Sequence, residues 1–175
     1  MQYTRLGRSN LQVSRICLGT MHFGPVAPQE ECFKIMDHAL ELGINFFDTA
    51  NVYGGRGNHG HSEEIIGKWF SQRPGSREKV ILATKVYGNM VDADLPNEER
   101  GISLYKVRKH CADSLRRLKT DHIDLYQVHE WDGQTPLEET LRVDATINTG
   151  FGAHIYRDRC RGASGLGGWS STNSL

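Results

Sequence analysis

The sequence predicts an α/β fold in which short strands of a parallel sheet alternate with amphipathic helices. Between Arg15 and about Val128, brief apolar runs are followed by longer stretches in which apolar residues recur at helical spacing. This alternation fits either an open doubly wound sheet or part of a (β/α)8 barrel. At 175 residues the chain is long enough for one such domain and too short for two.

The predicted strands are four short apolar runs, preceded by a hairpin. The runs cover residues 16–18, 45–49, 80–84 and 123–128. Ahead of them, the polar turn at residues 7–10 separates two extended segments, which predicts a β-hairpin that could plug a barrel floor.

Three helices are predicted between the strands, over residues 29–42, 62–71 and 103–118. The first ends at Gly43, a residue type that tolerates the left-handed conformation after a helix. Ser62 and Ser103 stand where a hydroxyl caps free backbone N–H groups, and two glutamates after Ser62 suit the positive end of the helix dipole.

The composition excludes several classes of function. Lys plus Arg and Asp plus Glu both number 21, so no net charge attracts the chain to nucleic acid or to an anionic membrane. The four cysteines are scattered without a CxxC pair, which argues against a zinc site or a disulfide framework. Without a signal-peptide pattern or an apolar run of about 18 residues, a cytoplasmic protein is expected.

The chain is predicted to divide near residue 143. Residues 1–143 carry the strand and helix pattern, whereas residues 144–175 are rich in Gly, Ser, Thr and Arg and lose helical spacing. We therefore expect an irregular segment at residues 144–175.

Four polar residues stand where predicted strands end or in the loop that follows. Asp48 ends the second strand and Tyr53 follows in its loop, Lys85 follows the third, and His129 follows the fourth. Because functional groups of parallel α/β folds gather at the carboxyl ends of strands, these four side chains are expected to share one cavity. Each residue alone would more often be structural; their joint occurrence after successive apolar runs carries the functional interpretation.

The chemistry of the four side chains suits the reduction of a carbonyl. A phenol is a weak acid at neutral pH, and a cation nearby favours its ionised form, which Lys85 could supply for Tyr53. Asp48 could hold the ammonium in place and charged. His129 could bind the substrate oxygen and share in proton delivery.

At these residues the chain resembles the aldo-keto reductase family, over residues 3–141. The matching segments are Gly19-Thr20-Met21 with Phe23-Gly24, residues 43–54 (GINFFDTANVYG), Ser62-Glu63 with Ile66-Gly67, Ala83-Thr84-Lys85, residues 114–118 (SLRRL), Asp121, residues 123–126 (IDLY) and His129. The short Thr-Met form of the first segment is similar to the branch that includes potassium-channel β subunits rather than to the aldose reductase branch.

The resemblance implies the N-terminal half of a (β/α)8 barrel that reduces an aldehyde or ketone with NADP(H). Tyr53 would donate the proton, assisted by Lys85 and Asp48, and His129 would orient the carbonyl. Cofactor contacts would come from Gly19, Thr20, Met21 and Asp48, and the substrate pocket would be lined by Met21, Val52, Tyr53 and Trp131. No metal is implied.

The chain also departs from the family pattern after residue 150. The strand expected there is missing, and residues 162–169 resemble the Gly-x-Ser-Asn segment of the family only faintly, with Gly165 where Asn belongs. A truncated or frame-shifted C-terminus explains this composition. The alternative function is then a catalytically inactive fragment that self-associates through open barrel edges or acts as a binding module.

Two other motifs suggest different sites. Residues 55–60 (GRGNHG) fit GxGxxG, but the first glycine is separated from the strand by residues 49–54, unlike a dinucleotide-binding fingerprint. His59, His61 and Glu63 suggest a metal site by proximity, although a solvated glycine-rich loop is the simpler interpretation.

Overall fold

The chain contains four parallel strands with helices on one face, as seen in a computed structural model that describes residues 1–87, 90 and 101–141. In chain order the elements are β1 (Tyr3–Arg5), β2 (Gln12–Ser14), β3 (Cys17–Gly19), α1 (Gln29–Glu41), β4 (Phe46–Asp48), α2 (His61–Gln72), a 3-10 turn (Arg77–Lys79), β5 (Ile81–Val86), α3 (Leu104–Leu118), β6 (Leu125–Val128) and α4 (Leu137–Leu141). The boundary predicted at residue 143 and the segment 144–175 lie outside the described residues.

The sheet order shows which of the two predicted architectures is present. Strands β3, β4, β5 and β6 lie side by side in chain order and pair in parallel. A doubly wound sheet would reverse its strand order at a switch point. Among the described strands no such reversal occurs, so the prediction of a partial (β/α)8 barrel is confirmed.

The predicted hairpin is present at the amino-terminal end of the sheet. Strands β1 and β2 pair antiparallel. The side chain of Asn45, just before β4, donates to the carbonyl of Gln12 at 2.9 Å and accepts from the backbone N–H of Ser14 at 2.7 Å. The hairpin is thereby fixed at the end of β4 opposite to Asp48, the end at which a barrel floor lies.

Two faces of the sheet have different characters because side chains alternate along each strand. Phe47, Leu82, Val86 and Tyr126 belong to one buried apolar core with side chains of α1, α2 and α3. The register places Cys17, Asp48, Lys85 and Gln127 on the other face, which would line the inside of a barrel.

The helix ends agree with the sequence prediction in two cases and differ in one. Gly43 has φ +80° after α1, and the Ser103 hydroxyl accepts from the backbone N–H of Lys106 at 3.4 Å. The cap predicted at Ser62 is wrong: α2 begins at His61 with Gly60 as its N-cap, and the Ser62 hydroxyl donates to the carbonyl of Phe23 at 2.8 Å. A tertiary contact has taken the hydroxyl that would otherwise cap the helix.

No helix within residues 1–87 and 101–141 is long and apolar enough to cross a membrane. Of the four cysteines, Cys17 is exposed, Cys32 and Cys111 are buried, and Cys160 lies outside the described part of the chain.

Candidate active site

The four predicted catalytic residues come from three neighbouring strands at the same end of the sheet. Asp48 is the last residue of β4, Lys85 is the next-to-last residue of β5, and His129 directly follows β6. Tyr53 lies in the loop after β4, where its carbonyl accepts hydrogen bonds from the backbone N–H groups of Gly60 at 3.0 Å and Ser62 at 3.3 Å. The first turn of α2 therefore holds the tyrosine.

The Lys85 ammonium is the centre of the cluster. It donates to the Asp48 Oδ2 carboxylate oxygen at 2.6 Å, to the carbonyl of Thr49 at 2.9 Å and to the Tyr53 hydroxyl at 3.3 Å. Its side chain is only 14% exposed. The ammonium is thereby held within hydrogen-bond distance of the Tyr53 hydroxyl, where a positive charge can interact with negative charge that develops on that oxygen.

The His129 ring contacts the Tyr53 ring. The rings of Tyr53 and His129 meet edge to face, with centroids 5.7 Å apart and an interplanar angle of 83°. Burial and the Lys85 cation hold the pKa of His129 below its ordinary value, against the opposing effect of the Asp48 and Glu130 carboxylates. At neutral pH the imidazole is therefore uncharged and can donate one hydrogen bond.

This electrostatic balance gives a titration that can be measured. Replacing Lys85 by methionine removes the charge that repels a protonated imidazole, so we expect the pKa of His129 to rise toward its ordinary value. Asp48→Asn removes an attraction and should lower the pKa further. NMR titration of the imidazole protons, assigned with a His129→Asn variant, would check both directions. A His129 titration unmoved by Lys85→Met would contradict this description of the site.

Two residues near the cluster were not predicted to belong to it. Gln127 donates to the Asp48 Oδ1 oxygen at 3.4 Å, so both carboxylate oxygens of Asp48 have partners. In the register of β5 and β6, Gln127 lies opposite Lys85, and the alternation of strand side chains could have placed it on this face. Cys17 shares the face; burial and Asp48 raise its thiol pKa to about 11, so the thiol is protonated at neutral pH and is a poor nucleophile.

The residues predicted to contact a cofactor lie beside Asp48. Gly19 pairs with Asp48 in the sheet, and a Cβ atom added at Gly19 would have no atom within 4 Å. Thr20 is fully buried, and both its N–H and its hydroxyl donate to the Asp48 carbonyl at 3.0 Å. Met21 is 54% exposed. The strand end thus offers open space next to the Asp48 carboxylate.

The residues predicted to line the substrate pocket differ in exposure. Val52 is half-buried, whereas Trp131 is 62% exposed and its indole N–H donates to the carbonyl of Thr135 at 3.3 Å. Asp132, the residue after Trp131, stabilises this loop through the hydrogen bonds that its carboxylate accepts. Burial of the Asp132 carboxyl opposes its ionisation, yet hydrogen bonds from Thr135 and its neighbours prevail and lower the pKa of Asp132 to about 2.

The three residues considered for a metal site do not converge. His61 Nδ1 lies 3.3 Å from the Glu64 carboxylate, whereas the Glu63 carboxylate binds Thr84 and Arg117. Within the described ranges, no three His, Cys, Asp or Glu side chains are grouped so that they could hold a metal ion.

A partial parallel barrel with a Lys–Asp pair, a phenol and an imidazole at its carboxyl end defines a candidate proton-transfer site, and the comparisons identify its family. The model of the Aldo/keto reductase family matches residues 15–147. The chain belongs to this family, and the resemblance seen in the sequence is confirmed.

Relatives of known sequence and structure cover most of this chain. It is 52% identical over 171 residues to the uncharacterized oxidoreductase YrpG of Bacillus subtilis (strain 168), a match that covers 97% of this chain and 51% of YrpG. It is 37% identical to norsolorinic acid reductase stcV of Emericella nidulans over 77% of this chain and 36% of the relative.

Among solved structures, the holo form of the aldo-keto reductase AKR11C1 from Bacillus halodurans superimposes with a TM-score of 0.66. The two are 38% identical, and the superposition covers 80% of this chain and 44% of AKR11C1. The chain thus spans about half the length of YrpG and less than half of AKR11C1.

Proposed function

We propose that this chain carries the catalytic half of an NADP(H)-dependent oxidoreductase that reduces aldehydes or ketones to alcohols. The observation that carries the proposal is the contact of the Lys85 ammonium with both the Asp48 carboxylate at 2.6 Å and the Tyr53 hydroxyl at 3.3 Å. Family membership supports carbonyl reduction in general, and the names of YrpG and stcV describe an oxidoreductase and a reductase.

Each residue of the cluster has a proposed role. Tyr53 donates the proton to the carbonyl oxygen as that oxygen gains negative charge. Lys85 stabilises the phenolate that remains, and Asp48 holds the ammonium in its position. The neutral His129, in ring contact with Tyr53, donates a hydrogen bond that orients the carbonyl. The substrate itself would rest against Met21, Val52, Tyr53 and Trp131.

A nicotinamide cofactor fits the residues present. The open space at Gly19 and the anchored Thr20 backbone leave the end of β3 accessible beside Asp48, and Met21 is exposed next to them. Gly19, Thr20, Met21 and Asp48 would hold the cofactor there. When bound, it supplies the hydride for the carbonyl carbon.

Three further expectations remain predictions from the sequence. They are the cytoplasmic location, self-association through the open edges of the sheet, and membership of the branch that includes potassium-channel β subunits. The open edges are β3 and β6, the outer members of the four-stranded sheet in the part of the chain described.

The proposal is tested with the purified 175-residue chain. We expect NADPH to bind, and its absorbance to decrease when an activated aromatic aldehyde is added. NADH, supplied at the same concentration, should be consumed more slowly. Equal rates with the two cofactors would contradict the preference for NADP(H).

A chain that neither binds NADPH nor consumes it with any activated aldehyde would contradict the proposal as a whole. The chain would then be a non-catalytic fragment. Its elution on size-exclusion chromatography would show whether the fragment self-associates.

A further inference from the structure

We propose that Glu63, outside the reacting groups, is a positioning residue that fixes the distance between the Tyr53 hydroxyl and the Lys85 ammonium. This inference rests on the proposed function. It is carried by the contacts of one fully buried carboxylate, whose two oxygens bind different elements of the fold.

The first oxygen ties Glu63 to the strand of the lysine. The Thr84 hydroxyl donates to Glu63 Oε1 at 2.6 Å, and both groups are 0% exposed. Thr84 directly precedes Lys85 in β5, and its side chain points away from the barrel interior while that of Lys85 points into it. The carboxylate therefore holds β5 from behind at the residue next to the ammonium.

The same glutamate sits in the helix turn that holds the tyrosine. The carbonyl of Tyr53 accepts from the N–H groups of Gly60 and Ser62, which flank the first residue of α2. Glu63 is the third residue of that helix. Tyr53 and Lys85 are thus connected through two short paths that meet at one side chain.

The second oxygen is occupied by a cation from another helix. Arg117 Nε of α3 donates to Glu63 Oε2 at 2.7 Å, and its side chain is 15% exposed. A second guanidinium N–H of Arg117 donates to the Ser114 hydroxyl at 3.2 Å. Because a buried carboxylate without a partner is costly, the contact with Arg117 offsets that cost and restricts the orientation of the Glu63 side chain.

Arg117 in turn has little room to move. A Cβ atom at Gly60 would lie 2.6 Å from Arg117 Cδ, so the arginine packs directly against the N-cap of α2. The network therefore connects the loop of Tyr53, the strand of Lys85 and helix α3 as one unit.

The rate of the proposed proton transfer should be sensitive to the distance between Tyr53 and Lys85 that this network sets. Tyr53 Oη and Lys85 Nζ are 3.3 Å apart, near the outer limit of a hydrogen bond. A shift of about 1 Å at a reacting group can lower a rate by about 10²-fold. A small displacement of β5 relative to α2 would be felt in the chemical step and much less in the binding of ligands.

The test compares Glu63→Gln, Thr84→Val and Thr84→Ser with the matched control Glu64→Gln. Glu64 neighbours Glu63 in sequence, but its carboxylate is 48% exposed and pairs with His61. Thr84→Val keeps the shape of the side chain and removes only the hydroxyl that binds Glu63. Kinetics are measured with NADPH and an activated aldehyde at a temperature where every variant is folded.

We expect Glu63→Gln and Thr84→Val to lower kcat by about tenfold or more, with the KM for NADPH changed by less than about twofold. Thr84→Ser keeps the hydroxyl that Thr84→Val lacks, so it should retain most of the kcat that Thr84→Val loses. The kcat of Glu64→Gln should equal that of the unmutated chain. Unchanged kcat in both Glu63→Gln and Thr84→Val would overturn the inference. A loss of kcat that Thr84→Ser does not recover would also overturn it.

A second readout does not need activity. In crystal structures of Thr84→Val and Glu63→Gln, the Tyr53 Oη to Lys85 Nζ separation should lengthen beyond about 3.5 Å, where a hydrogen bond is lost. An unchanged separation in both variants would overturn the inference. If the unmutated chain shows no turnover, the proposed function fails by itself, and this separation still decides the role of Glu63. If Glu63→Gln does not fold, Thr84→Val alone decides it.

Discussion

Replacing Tyr53 by phenylalanine is expected to lower kcat for aldehyde reduction by about 10²- to 10⁴-fold, the usual contribution of a positioned general acid. The substitution removes the hydroxyl that lies 3.3 Å from the Lys85 ammonium. It keeps the aromatic ring, which contacts His129 edge to face and whose centroid lies 4.9 Å from the Lys85 nitrogen. The fold and the affinity for NADPH should therefore change little.

The matched control for this experiment is Tyr3→Phe. Tyr3 also loses a hydrogen bond through its hydroxyl, which donates to the carbonyl of Gly43 at 2.8 Å, but it lies in the hairpin at the opposite end of the sheet. Its kcat should equal that of the unmutated chain. A Tyr53→Phe variant that keeps more than a tenth of kcat would mean that another group donates the proton.

Gly67→Ala is expected to lower the free energy of unfolding by about 2 kcal/mol or more, although alanine is the better helix former by about 1 kcal/mol. Gly67 lies inside α2, where this helix passes α3. An added Cβ atom would clash with the Arg117 carbonyl oxygen and lie 2.7 Å from the carbonyl carbon of Leu118. Both are backbone atoms, so no side chain can move aside and the two helices must separate.

The size of this loss is measured by urea denaturation of the purified chain. Gly19→Ala is the control, since a Cβ atom at Gly19 meets nothing within 4 Å, and its free energy of unfolding should stay within about 1 kcal/mol of the unmutated value. If Gly67→Ala were as stable as the unmutated chain, the helix propensity would outweigh the clash. The close approach of α2 to α3 would then be easily relaxed.

The helices and the strands could be predicted from the sequence because they depend on local pattern, whereas the local pattern left the order of the strands in the sheet open between two architectures. Helix α1 was predicted to end at residue 42 and ends at Glu41, and α3 was predicted to start at 103, which is its N-cap. Strand β5 extends two residues beyond its predicted end at residue 84, because the side-chain alternation continues through the polar Lys85 to Val86. Strand β6 starts later, at Leu125, and the preceding Asp124 carboxylate binds the N–H of Leu82 instead.

Part of the candidate site could be predicted from the sequence. Asp48, Tyr53, Lys85 and His129 could be named because each lies at the end of a predicted strand or in the segment after it, and each matches a family motif. The hydrogen-bond partners of these residues could not be predicted, because they depend on contacts between segments that are distant in sequence. The sequence predicts that Glu63 interacts with the dipole of α2, yet its carboxylate accepts hydrogen bonds from Thr84 and Arg117. No local sequence pattern indicates these two contacts.

Successive side chains of β5 point to opposite faces of the sheet, so the effect of a mutation in this strand depends on which face its position occupies. Leu82 and Val86 face the helices and belong to the buried core, so substitutions there change how much folded protein accumulates. Lys85 faces the interior, and under the proposed function its replacement should reduce turnover more than it reduces the amount of folded protein. A selection that scores abundance and one that scores turnover would therefore rank neighbouring positions of this strand in opposite order.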